Sequence, residues 1–488
     1  VRLQELLLSL SGVTLYGDPE TNVIFLTDDS REVLPGALFA AMTGVKEDGT
    51  RYLQQAQERG AAAVLSHLPP PPGFPLPWIE SSRERETFGL LCRRFYGAPD
   101  EILHLTGVTG TNGKTSITYI LEALFSAFGR RTGVVGTIES RWGGRVEKAS
   151  LTTPPTHRLF SLLRRMADDG VEDLFMEVSS HSMATERATA LAYREGIFTN
   201  LTGDHLDYHQ NMESYYRAKR KLFEIVKERG GKWVVNRDDP YGRRLLGELT
   251  LTGLSYGMEN SSADVRAEAR NLHRQGMEVE VSTPKGPFLL KSNLIGATNL
   301  SNLLAVTALA LLRGYTPQEI GTRLGGVKIR IPGRMDRVEN PHTSVYIDYA
   351  HSDDSLSKAL ETLRGLNFRK IIVVFGAGGD RDKTKRPRMG KAATEGADEA
   401  IITSDNPRTE DPLAIIRDVE AGAVGDGYAV IPDRREAIRE AIRRAGPNDA
   451  VLVAGKGHED YQILGTQKVH FSDFEEVERS LREEKGRW

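Results

Sequence analysis

No internal disulfide can form in this chain, because Cys92 is its single cysteine. That excludes the cross-linked secreted scaffolds and suits a reducing cytoplasm. Cys92 lies in Phe88-Gly-Leu-Leu-Cys-Arg-Arg-Phe95, where packing on a helix is expected ahead of nucleophilic chemistry. Long apolar runs are missing too: none reaches the roughly eighteen residues of a membrane-spanning helix. The stretch Val1 to Leu10 holds Leu-Leu-Leu without a basic leader or cleavage site, so a signal peptide is not expected. Charge of one sign is also scarce, with a formal net charge of −3 and a pI near 6.5. Nucleic acid and anionic membranes therefore have no electrostatic claim on the chain, and a polyanionic substrate would need local basic clusters. A soluble chain of 488 residues is too long for one core, and about three domains is the natural expectation.

What is present is led by Gly107-Val-Thr-Gly-Thr-Asn-Gly-Lys-Thr-Ser116. It follows the apolar Ile102, Leu103 and Leu105 and opens a helical segment, Ile117 to Phe128, that stops at Gly129. A glycine loop between strand and helix offers bare backbone N–H groups, and the helix N-terminus adds partial positive charge. Lys114 can reach β- and γ-phosphates, and the Thr115 hydroxyl can ligate Mg2+. The usual pattern has glycine where this chain has Val108, so the loop is a variant built on Gly110, Thr111, Asn112, Gly113, Lys114, Thr115 and Ser116. Gly-Lys-Thr in this setting predicts a nucleoside triphosphate site.

The expected fold class is α/β in three domains. Residues 1–99 read as a small α/β unit, with strand-like Val23–Leu26 and Ala37–Ala40, a helix over Tyr52 to Arg59, a strand over Ala62–Leu65 and a helix from Arg83 to Phe95. Residues 100–332 alternate strand and helix, as a P-loop ATPase-like parallel sheet covered on both faces does. Within them, 277–282 and 287–291 alternate like an antiparallel hairpin. Pro332-Gly333 predicts a hinge to residues 333–488, whose apolar runs near 345–348, 370–375, 400–403 and 450–454 describe an open doubly wound, Rossmann-like sheet. Three of those runs end in polar clusters, at 376–383, 404–408 and 455–459, where such sheets bind ligands.

Several residues invite chemistry. Glu177 ends an apolar strand, where it can bind Mg2+ or cap the next turn. Asp204-His-Leu-Asp-Tyr-His209 follows the strand run ending at Leu201 and offers hard ligands. Lys219, on a helix expected over Glu213 to Arg229, shares a face with Leu222, Phe223 and Val226. Either it snorkels to water, or burial strips its charge and leaves an amine that captures CO2 as a carbamate. Gly378 to Arg386 and Asp405-Asn-Pro-Arg408 mix carboxylates with arginines, which suits a zwitterion as well as a solvated loop.

Thr109 to Ser116, Glu177-Val-Ser-Ser180, Asp204-His-Leu-Asp207, Ala218-Lys219, Asn299 with Asn302, Gly333-Arg334, Asp348-Tyr-Ala-His351, Asp405-Asn-Pro-Arg408 and Gly455-Lys-Gly-His-Glu-Asp460 together resemble the Mur ligase family, in order and over almost the whole chain. The resemblance implies an ATP-dependent amide ligase of bacterial cell-wall precursor synthesis, cytoplasmic and monomeric. Its substrates would be ATP, UDP-N-acetylmuramoyl-L-alanyl-D-glutamate and meso-diaminopimelate, with ATP at the junction of the second and third domains. It implies catalytic roles for Lys114, His205 and Lys219. Thr115 and Glu177 would serve one Mg2+, and His205 with carbamylated Lys219 another. Asn299, Asn302, Arg334 and Asp348 would contact adenosine and phosphates. Ser30-Arg31 would hold the uridine diphosphate, and Thr152, Thr153, Ser179, Thr185 and Arg187 the muramoyl-peptide portion, with Thr185 standing where some relatives carry glutamine. Arg381, Asp405, Asn406, Pro407, Arg408, Gly455 and Glu459 would clasp diaminopimelate. A nucleotide-switch protein is the rival of a different class, and it would hydrolyse ATP without those substrates.

Overall fold

The computed structural model describes residues 1–44, 48–250, 252–340 and 343–484, with the side chain of Asp207 outside the description. The chain forms two compact units, one of Val1–Ala263 with Ala308–Gly314 and one of Asp264–Thr307 with Tyr315–Trp488.

The first unit holds two sheets. The smaller runs Val13–Tyr16, Trp78–Ser81, Ala63–Ser66, Ala37–Ala40, Phe25–Thr27, parallel except for its first, antiparallel edge. Ala37–Ala40 and Ala63–Ser66 are buried throughout and apolar but for Ser66, as suits strands covered on both faces. The larger runs Gly253–Gly257, Lys232–Asn236, Glu195–Phe198, His104–Thr109, Asp173–Glu177, Thr132–Val135, all parallel. Two antiparallel strands, Glu139–Trp142 and Arg145–Lys148, finish its edge. One hydrophobic cluster draws on both sheets, from Leu3 to Leu245, and Cys92 packs within it on the helix Glu84–Phe95. His104–Thr109 is flanked on both sides, with Val108 opposite Glu177 and Thr109 opposite Phe198. The loops that leave these three strands therefore share one edge.

In the second unit, Val265–His273, Gly276–Ser282 and Phe288–Ser292 form an antiparallel meander. The hairpin expected from alternation is its last two strands; the first strand buries only Val265 and Ala267 and gives little apolar signal. A six-stranded sheet follows, ordered Asp336–Val338, Ser344–Asp348, Ala450–Ala454, Ile371–Phe375, Glu399–Ile402, Tyr428–Val430, parallel but for its first edge. Separate hydrophobic clusters cover its two faces, which is the doubly wound arrangement.

Candidate active site

The glycine loop leaves the carboxyl end of His104–Thr109 and enters the helix Lys114–Ala127, whose N-cap is Gly113 at φ 90°. Gly110 has φ 150°, and a Cβ there would lie 1.8 Å from the Thr199 hydroxyl, so only glycine fits. Lys114 Nζ donates to the Gly110 and Thr111 carbonyls at 3.0 and 2.9 Å. Lys219 Nζ donates to the same Gly110 carbonyl at 2.8 Å. Residues not singled out in the sequence hold the loop in place. Thr199 donates to the Asn112 carbonyl at 2.6 Å, Asn200 Oδ1 accepts from the Asn112 N–H at 3.0 Å, and Tyr215 OH lies 3.2 Å from the Thr111 hydroxyl. The signal for Thr199-Asn200 was their position just past an apolar strand. Tyr215 left none.

Lys219 settles the choice between snorkelling and burial. It is 1% exposed on the helix Met212–Glu228, beside buried Leu222, Phe223 and Val226. Its ammonium lies 4.6 Å from the centre of the Tyr215 ring. Burial pushes it well below the ordinary lysine range, and the neighbouring Lys114 charge adds to the shift. His205, in a left-handed backbone conformation at φ 54°, is lowered to about 4 by burial, with Asp204 opposing and His181, Lys114 and Lys219 reinforcing. Glu177 is buried; its two oxygens accept from the Thr137 N–H and hydroxyl, both at 2.9 Å. Among the described residues, no group of three or more His, Cys, Asp or Glu is arranged for a metal ion. What the site offers a hard cation is the Glu177 carboxylate, the buried Thr115 hydroxyl and the His205 imidazole. Lys219 becomes an oxygen ligand only once converted to a carbamate.

From Glu177 a hydrogen-bonded strip leads outward. Thr137 and Thr152 hydroxyls meet at 3.0 Å, and Thr153 donates to the Glu177 carbonyl at 3.1 Å and to Ser179 Oγ at 3.3 Å. Arg187 donates to the Thr153 carbonyl at 3.0 Å and to the Thr185 hydroxyl at 3.1 Å. The structure thus joins Thr152, Thr153, Ser179, Thr185 and Arg187 into one wall. Arg187 and Ser30 also line one cavity of about 880 Å³.

The second unit holds the remaining candidates. Asn302 Nδ2 donates to Asn299 Oδ1 at 3.4 Å. Asn299 and Arg334 line a cavity of about 440 Å³, and the Arg334 guanidinium lies 4.6 Å from the Tyr349 ring centre with a buried Nε lacking a described partner. Asp348 accepts from the Met335 N–H at 2.6 Å, and burial raises its carboxyl. At the carboxyl ends of the doubly wound sheet, Arg408 has φ 52° and donates to the Gly379 carbonyl at 2.8 Å. Asn406 Nδ2 donates to Glu459 at 3.0 Å, and its Oδ1 accepts from the Ile463 N–H at 3.0 Å. Gly455 has φ 118°, and a Cβ there would come within 2.5 Å of Asp405 Oδ2. Pro407 is buried, while Arg381 is exposed. Residues not assigned to a ligand brace this clasp. Buried Arg386 pairs with Glu410, which accepts from the Asp380 N–H at 2.6 Å, and buried Lys456 reaches Asn406 and Glu459 at 3.3 and 3.4 Å.

A lysine-bearing glycine loop at the middle strand of a parallel sheet defines a phosphate-binding nucleotide domain, here joined to a doubly wound domain with a charged clasp. Three family models match the chain in order: Mur ligase family, catalytic domain, over 22–96; Mur ligase middle domain over 108–310; and Mur ligase, glutamate ligase domain, over 333–457. The chain is 43% identical over 481 residues to the UDP-N-acetylmuramoyl-L-alanyl-D-glutamate--2,6-diaminopimelate ligase of Geobacillus thermodenitrificans (strain NG80-2), covering 97% of this chain and 98% of the relative. A protein of the same name from Gloeobacter violaceus (strain ATCC 29082 / PCC 7421) is 41% identical, covering 100% and 99%. A solved structure of a ligase so named aligns at TM-score 0.72 with 30% identity over 99% of both chains. The MurF ligase of Thermotoga maritima in complex with ADP shares the fold at TM-score 0.65 with 18% identity, covering 96% and 98%. The chain belongs to the Mur ligase family, and it is an ATP-dependent ligase that forms a peptide bond.

Proposed function

We propose that this chain joins meso-diaminopimelate to the D-glutamate γ-carboxylate of UDP-N-acetylmuramoyl-L-alanyl-D-glutamate, in peptidoglycan precursor synthesis in the cytoplasm, acting as a monomer. The γ-carboxylate oxygen attacks the γ-phosphorus of ATP, ADP leaves, and an acyl phosphate forms. The diaminopimelate amine then adds to that acyl carbon, inorganic phosphate departs, and the amine gives up its proton. Like charges meet in the first step, so the Lys114 ammonium is assigned to the γ-phosphate. Gly110 to Ser116 cradle the phosphates, and Asn299, Asn302, Arg334 and Asp348 are assigned to adenosine and phosphate contacts. Residues 1–99, 100–332 and 333–488 are the UDP-binding, ATP-binding and amino-acid-binding domains of this reading. Mg2+ would be held by Thr115, Glu177, His205 and carbamylated Lys219, and when bound it neutralises phosphate charge. Ser30, Thr152, Thr153, Ser179, Thr185 and Arg187 take the nucleotide-sugar dipeptide.

The observation that carries the amino-acid assignment is the clasp itself. Arg408 is held by carbonyls at Gly379 and Asn406, and Asn406 is bonded to Glu459. On this reading the guanidinium takes a substrate carboxylate, while Asp405 and Glu459 are assigned to its ammonium. Lysine has no distal carboxylate and would leave that fork unmatched. Phosphate release from ATP should require both the UDP-sugar dipeptide and diaminopimelate, and lysine should substitute poorly. Release without either substrate, or equal use of lysine, would overturn this reading.

A further inference from the structure

Arg386 is the buried arginine of the clasp, and no substrate is assigned to it. It is 1% exposed on the helix Lys385–Gly396, and its guanidinium is committed to other segments of the chain. The adjacent parallel strands Ile371–Phe375 and Glu399–Ile402 end in two loops, one carrying Gly378 to Arg381 and the other Asn406 to Glu410. In the first loop Arg386 donates to the Gly378 carbonyl at 3.3 Å. In the second it donates to both oxygens of Glu410, at 2.7 and 3.0 Å, a fork that sets direction as well as distance. It also donates to Asp418 at 2.9 Å, on the helix Pro412–Glu420. Glu410 in turn accepts from the Asp380 N–H at 2.6 Å. The Arg386 guanidinium and that N–H hold the Glu410 carboxyl down at about 2, so it stays ionised.

The Gly379 carbonyl lies in the chain between those two fixed points, and it is the group that accepts from Arg408 at 2.8 Å. The loops meet closely there. The Gly379 N–H donates to the Asn406 carbonyl at 2.9 Å, and a Cβ on Gly379 would fall 1.9 Å from the Pro407 carbonyl oxygen. The Thr409 hydroxyl donates to Asp380 at 2.7 Å. The Arg408 backbone is pinned separately: its N–H donates to the Ile463 carbonyl at 3.0 Å, and its carbonyl accepts from the Gly465 N–H at 2.8 Å. With the main chain fixed, the direction of the guanidinium follows from where the Gly379 carbonyl points. We propose that Arg386, acting through Glu410 and the backbone of Gly378 to Asp380, aims the Arg408 guanidinium and so sets the selectivity of the clasp for an amino acid with a second carboxylate. Arg386 is a positioning residue, acting on the ligand only through Arg408. A fork that must meet a planar carboxylate loses most when it is tilted.

The inference rests on the diaminopimelate reading of the clasp, and Arg408→Ala is the reference that separates the two. The readout is the ratio of kcat/KM for diaminopimelate to that for lysine, measured on the full chain at saturating ATP and UDP-sugar dipeptide. Arg386→Gln should lower that ratio roughly tenfold, mainly through KM for diaminopimelate, with lysine kinetics and KM for ATP nearly unchanged. Damage to the fold alone would slow both amino acids alike and leave the ratio where it was. Glu410→Gln, at a partly exposed position, keeps the shape but turns an amide N–H2 towards Arg386, and it should shift the ratio in the same direction. It carries the test if Arg386→Gln does not fold. When either variant is combined with Arg408→Ala, the ratio should fall no further than in Arg408→Ala alone. A ratio unmoved in a folded variant, or a full additional loss in the combination, overturns the inference. A ratio unmoved by Arg408→Ala overturns the diaminopimelate reading instead.

Discussion

The strands His104–Thr109, Asp173–Glu177 and Glu195–Phe198 carry buried charge at both ends, and the two ends treat it differently. At their amino ends, Arg313 pairs with Asp173 and with Glu195, the latter at 3.0 Å, and donates to the Thr106 hydroxyl at 2.7 Å. His104 reaches Glu195 at 2.7 Å, and Arg130 reaches Asp173 at 2.7 Å. Burial pushes the Glu195 carboxyl up, but His104 and Arg313 overcome it and hold it at about 2. At the carboxyl ends, Lys219 is equally buried, yet its described hydrogen bond goes to a carbonyl and no described ion pair includes it. Its charge is disfavoured there. A charge that the fold compensates internally serves stability, whereas a buried lysine without a described counter-charge is held as a neutral amine, a state suited to chemistry rather than to packing.

Lys114→Ala should break the open end most severely. Ligation should fall by three orders of magnitude or more, with the melting temperature nearly unchanged, because the lysine is assigned to the γ-phosphate rather than to the core. Phosphate release alongside a thermal melt checks both halves. Arg313→Met should do the reverse at the closed end. Removing one partner of a buried network costs about 3–5 kcal/mol, read as a lower urea midpoint, while turnover per folded molecule at 25 °C stays near wild type. The closed end also sets an acid limb. Glu195 titrates at about 2 in the fold against 4.5 ordinarily, so between those values the unfolded chain binds a proton that the folded chain does not. Its contribution is complete above pH 4.5 and disappears as the pH falls to 2, about 3 kcal/mol in all, and the limb should be shallower in Arg313→Met.

The second unit sharpens the contrast at smaller amplitude. Arg434 and Asp473 form a buried pair at 2.7 Å, whereas Arg408 is held by carbonyls. Arg408→Ala should lower kcat/KM for diaminopimelate about a hundredfold, leaving KM for ATP alone and stability nearly unchanged, since the lost partner belongs to the substrate. Unchanged diaminopimelate kinetics would refute the assignment.

The parts legible in the sequence share one property: their partners lie nearby in the chain or their pattern is periodic. The buried parallel strands announced themselves as apolar runs, and three loops at strand ends announced themselves as polar clusters. Partly exposed strands such as the edge Arg145–Lys148 and the interior Val265–His273 gave no such signal, because little of their surface leaves water. Tyr215 at Thr111, Arg313 at Glu195 and His157 at Glu32 join residues 104, 118 and 125 positions apart, a spacing that no local pattern records.

Taken alone, the amino-acid order determined an α/β chain with a glycine loop for phosphates, a lysine on an apolar helix face and a cluster that mixes Arg408 with carboxylates. Whether Lys219 reaches water, which loops Arg386 ties together and which ends of the strands are internally neutralised were decided only by tertiary structure. The reason is physical: composition and period state what a side chain is, but its charge depends on how much water is removed and which partner replaces it, and distant segments supply both.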